Sequence, residues 1–301
     1  MKQFIDEHRQ LYAVEPICRV LPIAASTYYQ HAAREAHPDR RCARHKHDDK
    51  LRPHIQRVWD ENYQVYGVRK VWRQLQREAV TVARCTVQRL MRQMGLRGVV
   101  RGKAARTTLR DPDRVCPLDR VKRQFHAVRP NTLWVSDFTY VATRQGFVYV
   151  AFVSDVFARR IVGWRVSNSM NTDFVLDALE QALYERRAFE QSTLIHHSDR
   201  GSQYVSLRYT ERLLEAGIEA SVGSVGDAYD NALAETINGL YKTELIEHRG
   251  PWRTMQAVEL ATLQWVDWFN HRRLLEPIGN IPPAEAEERY YRQSAESVYA
   301  A

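Results

Sequence analysis

A carboxylate stands in the middle of an apolar, β-favouring run. Residues 133–141 read LWVSDFTYV, which makes Asp137 a strand residue. A charge inside such a strand is costly unless it is paired or bound to a metal. The chain must therefore build a sheet with an ionic feature in it. Downstream patterning extends that sheet. Gln145-Gly146 turns into a second strand, Phe147–Val156, and Ala158-Arg159 turns into a third, Ile161–Val166. Then the period changes. Asn171 or Thr172 caps a helix carrying Phe174, Val175, Ala178, Leu179 and Leu183. Thr193-Leu194-Ile195 opens a fourth strand that ends in Asp199. A helix follows from about Ser206 to Ala216, stopped by Gly217, and Ile218–Val222 is a fifth strand. Three consecutive strands followed by alternating helix and strand predict a mixed α/β core.

Two further carboxylates fall where chemistry is expected. Asp199 closes a strand just before the turn signal Arg200-Gly201, at the carboxyl end where open α/β sheets place their sites. Glu235 follows after 35 intervening residues, in a helix that Asp230 or Asn231 can cap. Asn231, four residues before Glu235, and Lys242, seven after, share its face. Three carboxylates can hold two Mg²⁺ roughly 3.5–4 Å apart, the arrangement that clamps both oxygens of an in-line phosphoryl displacement. Lys242 would meet a DNA phosphate as a point charge. A single Asp is most often a surface residue or a cap, so the spacing gains its meaning from the words around it.

Those words are W-x-x-D-x-T-Y (Trp134, Asp137, Thr139, Tyr140), H-S-D-R-G-S-Q-Y (His197 to Tyr204) and Y-D-N-A-x-A-E (Tyr229 to Glu235) with Lys242 seven beyond. Together they resemble the DDE integrase core, and more narrowly the second reading-frame product (OrfB) of bacterial IS3-family insertion sequences. The resemblance covers nearly the whole chain. It implies an RNase H-like core and a Mg²⁺-dependent transposase, with Asp137, Asp199 and Glu235 as catalytic metal ligands. Mn²⁺ is expected to substitute. It also implies a copy-out route through a circular intermediate and a fused product with the upstream-frame protein, OrfA. His197 and Gln203 flank the site. His197 either positions water or contacts DNA, or is equally well a packed strand-end histidine. Tyr229 and Asn231 are candidate contacts to terminal bases or phosphates. Asp155 is a fourth nearby carboxylate, and an RNase H proper uses four. A structural role, paired with Arg159 or Arg160, is favoured for it. Gly223 and Gly226 make the segment before Glu235 a loop expected to order on substrate.

Charge separates the chain into two parts. Residues 1–127 carry 27 Lys and Arg against 13 Asp and Glu, and the remainder 17 against 23. The first part reads as a polyanion binder. Within it, residues 11–33 suggest two short helices broken at Pro22, the second capped by Ser26 or Thr27. Residues 34–50 read as a polar connector. Its His37, Cys42, His45 and His47 match no common zinc spacing. Residues 51–103 give three apolar helix faces: Ile55, Val58 and Trp59; then Val68, Val71, Trp72 and Leu75; then Thr86, Leu90 and Met91, with Gly95 as the stop. Their polar faces carry Arg69, Lys70, Arg73, Arg84, Arg89 and Arg92, a helix-turn-helix expected to lie on phosphates with 84–92 as its recognition helix.

The organisation expected is thus a helical segment and connector (1–50), a basic helix-turn-helix (51–103), a basic linker (104–129), an RNase H-like core (130–250) and a carboxyl-terminal helix and tail (251–301). In the tail, Met255, Val258, Ala261, Trp265, Trp268 and Phe269 form an apolar stripe that fits core packing better than base stacking. The last residues are expected to be disordered. No apolar run is long enough to span a membrane, and the start lacks a signal-peptide core. Four dispersed cysteines (Cys18, Cys42, Cys85, Cys116) fit a reducing cytosol, and the resemblance implies a bacterial cytoplasm, at the nucleoid. The predicted function is DNA transposition, with double-stranded element ends and target DNA as partners and a homo-multimer as the working state. The competing classes are a non-catalytic DNA-binding regulator that needs its upstream partner frame, and an RNase H-type nuclease.

Overall fold

The computed structural model describes residues 1–100, 102, 127–186, 194–198, 204, 206–222 and 232–299. It divides into two compact units, residues 1–57 and 58–301.

The first unit is helical. Helices α1 (Lys2–Tyr12), α2 (Val14–Val20) and α3 (Ala25–Ala36) bury Ile5, Val14, Ile17, Cys18 and Tyr28 against one another. The Tyr28 hydroxyl donates to Asp6 at 2.7 Å and accepts from Arg9 at 3.1 Å, so the small core closes on a satisfied polar group. Two expectations change here. Helix α3 starts at Ala25 with Ala24 as its N-cap, so Ser26 and Thr27 lie inside the helix. The polar connector is largely helical: α3 continues to Ala36, a 3₁₀ turn follows at Pro38–Arg40, and α4 begins at Ala43 and runs to Glu61. Straight-chain charged residues are good helix formers, so polarity alone did not mark a loop.

The second unit holds the sheet. β1 (Leu133–Thr143), β2 (Gly146–Asp155) and β3 (Arg160–Ser167) form an antiparallel meander. β4 (Ile195–Ser198) and β5 (Glu219–Val222) add in parallel to give the order β3-β2-β1-β4-β5. The turns are those the sequence predicts: Gly146 at φ +118° and Arg159 at φ +59° supply the left-handed residues. Helices α7 (Thr172–Glu185) and α8 (Leu207–Glu215) cover one face, where Trp134, Val153, Val162, Phe174, Leu179, Tyr209 and Leu213 pack together. Ser206 caps α8 through a bond from the Tyr209 N–H. Across the opposite face run α9 (Ala232–Tyr241), a π turn at Lys242–Ile246, α10 (Glu247–Arg249) and α11 (Met255–His271). Phe152 meets Tyr241 and Trp265 there, and Trp265 meets Phe269. The aromatic stripe of α11 is core.

Helix α7 approaches β3 so closely that Gly163 has no room for a side chain. A methyl there would lie 2.1 Å from the Ala178 carbonyl oxygen. Gly163→Ala is expected to destabilise the second unit by ~3 kcal/mol, the upper end of overpacking costs, because backbone must move. A urea unfolding midpoint close to the wild-type value would show that α7 yields more easily than this contact implies. Edge strand β3 is covered by α11, whose Asn270 side chain accepts from the Ile161 N–H at 3.0 Å and donates to its carbonyl at 2.8 Å.

Asp155 is wholly buried at the end of β2 and accepts from the backbone N–H groups of Asn131 (2.6 Å) and Phe157 (2.9 Å). Its role is structural, but Arg159 and Arg160 are not its partners. Burial pushes its carboxyl up to about 6, opposed by those two N–H donors. Arg160 turns instead to Glu287 (2.8 Å) and Glu185 (3.1 Å), and Arg186 joins Glu287 at 2.6 Å. Glu287 belongs to α12 (Pro283–Tyr299). The expected disordered tail is therefore a helix through Tyr299, docked by a buried carboxylate between two guanidiniums.

Helices α5 (Val68–Arg77) and α6 (Arg84–Gln93) form the expected pair, with Val71, Leu75, Val87, Leu90 and Met91 buried. Gly95 at φ +71° ends the second helix as predicted. The pair is fastened to the carboxyl-terminal segment of the same unit. The Tyr66 hydroxyl accepts from the Leu274 N–H at 2.8 Å, Arg69 pairs with Glu276 at 2.7 Å, and Arg77 pairs with Glu285 at 2.5 Å.

Candidate active site

The site grows from the end of the central strand. Asp137 lies on β1, partly exposed, opposite Phe152 of β2. One carboxylate oxygen accepts from the Phe138 N–H at 2.8 Å, and the other from Asn238 Nδ2 at 2.8 Å. Asn238 is on α9, one turn beyond Glu235, which is exposed on the same helix. The Asn238 bond thus brings the helix that bears Glu235 against the strand that bears Asp137. On the other side β4 pairs in parallel with β1, its last described residue, Ser198, opposite Ser136. Asp199 itself lies outside the described residues. Among the described residues, no three His, Cys, Asp or Glu side chains form a group that could hold a metal ion.

Behind the strands, Ser136, His196 and Tyr209 form a buried polar chain. His196 Nε2 is 2.7 Å from Ser136 Oγ and 3.1 Å from the Tyr209 hydroxyl. Burial pushes the His196 imidazole down to about 3, so the ring is neutral and serves as a hydrogen-bonding strut. Lys242, at the start of the π turn, lies with Nζ 4.6 Å over the Tyr140 ring. Two residues on, Glu244 is buried in a bidentate pair with Arg273, at 2.8 and 2.5 Å. That pair anchors the widened turn.

Comparison with known proteins bears on this geometry. The integrase core domain family model matches residues 127–228, a second integrase core model matches 216–283, and an HTH-like domain model matches 46–104. The chain is 62% identical to the transposase for insertion sequence element IS629 of Shigella sonnei, over 97% of each chain. The chain belongs to the IS3-family insertion-sequence transposases. A transposase named for IS986/IS6110 in Mycobacterium tuberculosis is 58% identical over 91% of this transposase and 98% of its own length. InsK of IS150 from Escherichia coli is 29% identical over 95% and 98%. Among solved structures, the HTLV-2 integrase catalytic core covers 54% of this chain and 99% of its own, with 16% identity and a TM-score of 0.43.

The transposase places its sequence-predicted residues unevenly. Asp137, Glu235 and Lys242 stand on β1, on α9 and at the π turn that follows it. Asp199, Gln203, Tyr229 and Asn231 lie outside the described residues, as do the loop with Gly223 and Gly226, Cys116, and nearly all of the expected linker. His197 is corrected from the DNA-contact reading. It is 0% exposed, with Nδ1 3.0 Å from Ser221 Oγ on β5, which makes it a packed strand-end histidine. Lys70 is half-buried, 5.1 Å over the Tyr66 ring, and desolvation, with Arg273 nearby, lowers its ammonium to about 8. Arg69 is engaged by Glu276. Arg84 and Arg92 are exposed on α6, Arg89 is half-buried there, and Arg73 is exposed and stacked 4.8 Å from the Trp72 ring.

Asn238 is the residue that sequence reading missed. Its only signal was its place one turn after Glu235. Asn238→Ala is expected to remove one hydrogen bond to Asp137 and lower turnover about tenfold, the effect of ~1–1.5 kcal/mol. Asn238→Asp, which puts a second carboxylate against Asp137, should be worse than alanine. Strand-cleavage rates of the two variants check the order, and equal rates would remove the positioning role.

Proposed function

We propose that this transposase cleaves and joins DNA strands at the ends of its insertion sequence by metal-assisted phosphoryl transfer, with Asp137, Asp199 and Glu235 as the metal-holding carboxylates. The observation that carries the reading is the Asn238–Asp137 bond, which sets the helix of Glu235 on the strand of Asp137. The donor chemistry fits a hard divalent cation: both described candidates are carboxylates, both reach solvent, and one is held in orientation by two N–H donors. A pair of Mg²⁺ ions, or Mn²⁺ in their place, would supply charge stabilisation at both the attacking and the leaving oxygen.

The chain's own residues supply the rest. Exposed Arg84 and Arg92 of α6, with Arg73, hold duplex DNA through its phosphates. Lys242, seated over the Tyr140 ring, offers a positive charge to the phosphate next to the scissile bond. Water is the first nucleophile and releases a 3′ end. That 3′-OH is the second and joins the element to another strand, so no covalent protein–DNA intermediate is required. Pairing two element ends calls for more than one copy of the chain, and the upstream-frame protein is the expected further partner.

The test is cleavage and joining of a labelled element-end duplex by the full chain, with Mg²⁺, with Mn²⁺ and with chelator. Cleaved and joined products that vanish on chelation are expected. Tight binding with no product under any metal condition would favour a DNA-binding regulator that needs its upstream frame.

A further inference from the structure

The β1–β2 hairpin leaves two large aromatic rings in solvent. Tyr140 on β1 and Phe147 on β2 are each 58% exposed, although Val141 and Val148 beside them are buried. The two rings meet edge to face at 5.5 Å. An exposed aromatic pair on an otherwise well-packed hairpin marks a contact surface. Its charge says what kind. Lys242 Nζ sits on the Tyr140 ring at 4.6 Å. Arg144 at the hairpin turn is exposed, and its N–H donates to the Trp252 carbonyl at 3.1 Å, which brings exposed Arg253 beside the hairpin. No carboxylate occurs in the sequence between Asp137 and Asp155, or between Glu247 and Glu259. The patch is aromatic and cationic. Tyr140 and Phe147 lie on the face of the sheet opposite the Asp137 carboxylate, and Lys242, seven residues beyond Glu235, reaches the Tyr140 ring from the helix that packs on the Asp137 face.

We propose that Phe147 and Tyr140, with Lys242, Arg144 and Arg253, form a single-stranded DNA subsite that stacks an unpaired base at the end of the hairpin whose first strand bears Asp137. The proposal rests on the function proposed above and adds the form in which the DNA is held. Every base offers a π face, so aromatic stacking grips a strand whatever its sequence, while the three cations follow its phosphates. The contacts divide the labour. Tyr140 touches both Phe147 and the Lys242 ammonium and fixes the two in place. Phe147, on the second arm, bears the base. A phosphate near the carboxylates is easier to reach when its neighbouring base has left the duplex stack, and the hairpin gives that base somewhere to go.

The experiment uses the full chain in chelator, so that no cleavage intervenes. A 20-nucleotide oligo(dT) with a central 2-aminopurine is followed by fluorescence and anisotropy, alongside a duplex of mixed sequence. Wild-type protein should quench the 2-aminopurine on binding. Phe147→Ala should weaken single-strand binding about tenfold and abolish the quenching, Phe147→Trp should restore both, and duplex binding should stay within twofold throughout. Single-strand affinity unchanged in Phe147→Ala would overturn the proposal. So would unchanged affinity together with a lower association state in sedimentation, which would assign the ring pair to a contact between copies. Because the readout is metal-free binding, its failure leaves the strand-cleavage reading standing, and failure of strand cleavage leaves this binding to be judged separately.

Discussion

Glu235→Gln is expected to abolish strand cleavage and joining while leaving duplex binding intact. The substitution keeps shape and hydrogen-bonding reach but removes the negative charge. Glu235 is exposed in the first turn of α9, and Gln has nearly the same helix propensity as Glu, so the fold has no reason to change. In the proposed function, what is lost is one of three carboxylates for divalent metal. Metal stabilisation of transition-state charge contributes several kcal/mol, and ~4 kcal/mol corresponds to roughly a thousandfold in rate. Product formation on a labelled element-end duplex measures the loss, and gel retardation of the same duplex checks binding. Cleavage within tenfold of wild type would take Glu235 out of the site.

Glu287→Gln is expected to cost the second unit ~3–5 kcal/mol, the range for removing one partner of a buried ion cluster. Glu287 is 3% exposed and bonds both Arg160 and Arg186, the latter equally buried. Without the carboxylate, the buried Arg186 loses its 2.6 Å ion pair and Arg160 is left with Glu185. In a unit of this size each kcal/mol moves the melting temperature by roughly 2–4 °C, so a fall of about 6–20 °C should be seen. Arg289→Ala is the control. It removes a pair between exposed Arg289 and Glu285 on the same helix and should move stability by no more than ~0.5 kcal/mol. Equal effects from the two variants would show that the cluster holds nothing that the surface pair does not.

The parts of the fold legible in the sequence were those written in backbone chemistry. Gly146, Gly217 and Gly95 each adopt a positive φ where a turn or stop was expected, and the apolar period of α7 and α11 matches the faces they bury. The parts that escaped are held by tertiary polar contacts. The last residues read as disordered, yet α12 runs to Tyr299, held by Glu287 and by a Phe157–Tyr290 ring contact that join it to distant parts of the sequence. Lys70 reads as a phosphate contact from its helix face, and its place over the Tyr66 ring depends on a residue outside that helix. His197 stood in a motif that names a site but not which side chains point into the sheet. Asn238 carries no charge and no unusual spacing, so nothing before the structure linked it to Asp137, 101 positions away.

The fastening of α5 to the carboxyl-terminal segment has a metrical meaning. Tyr66, Arg69 and Arg77 bind this helix to residues 274–285 at three points, and α11, just before that segment, lies on the sheet of Asp137. The basic helix pair and the strand that bears Asp137 therefore belong to one framework and are not joined only by the long polar stretch that connects them in sequence. On the proposed function, a protein built this way would act as a caliper: the distance from the duplex held by the helix pair to the bond cut at Asp137 would be set by the protein's own dimensions.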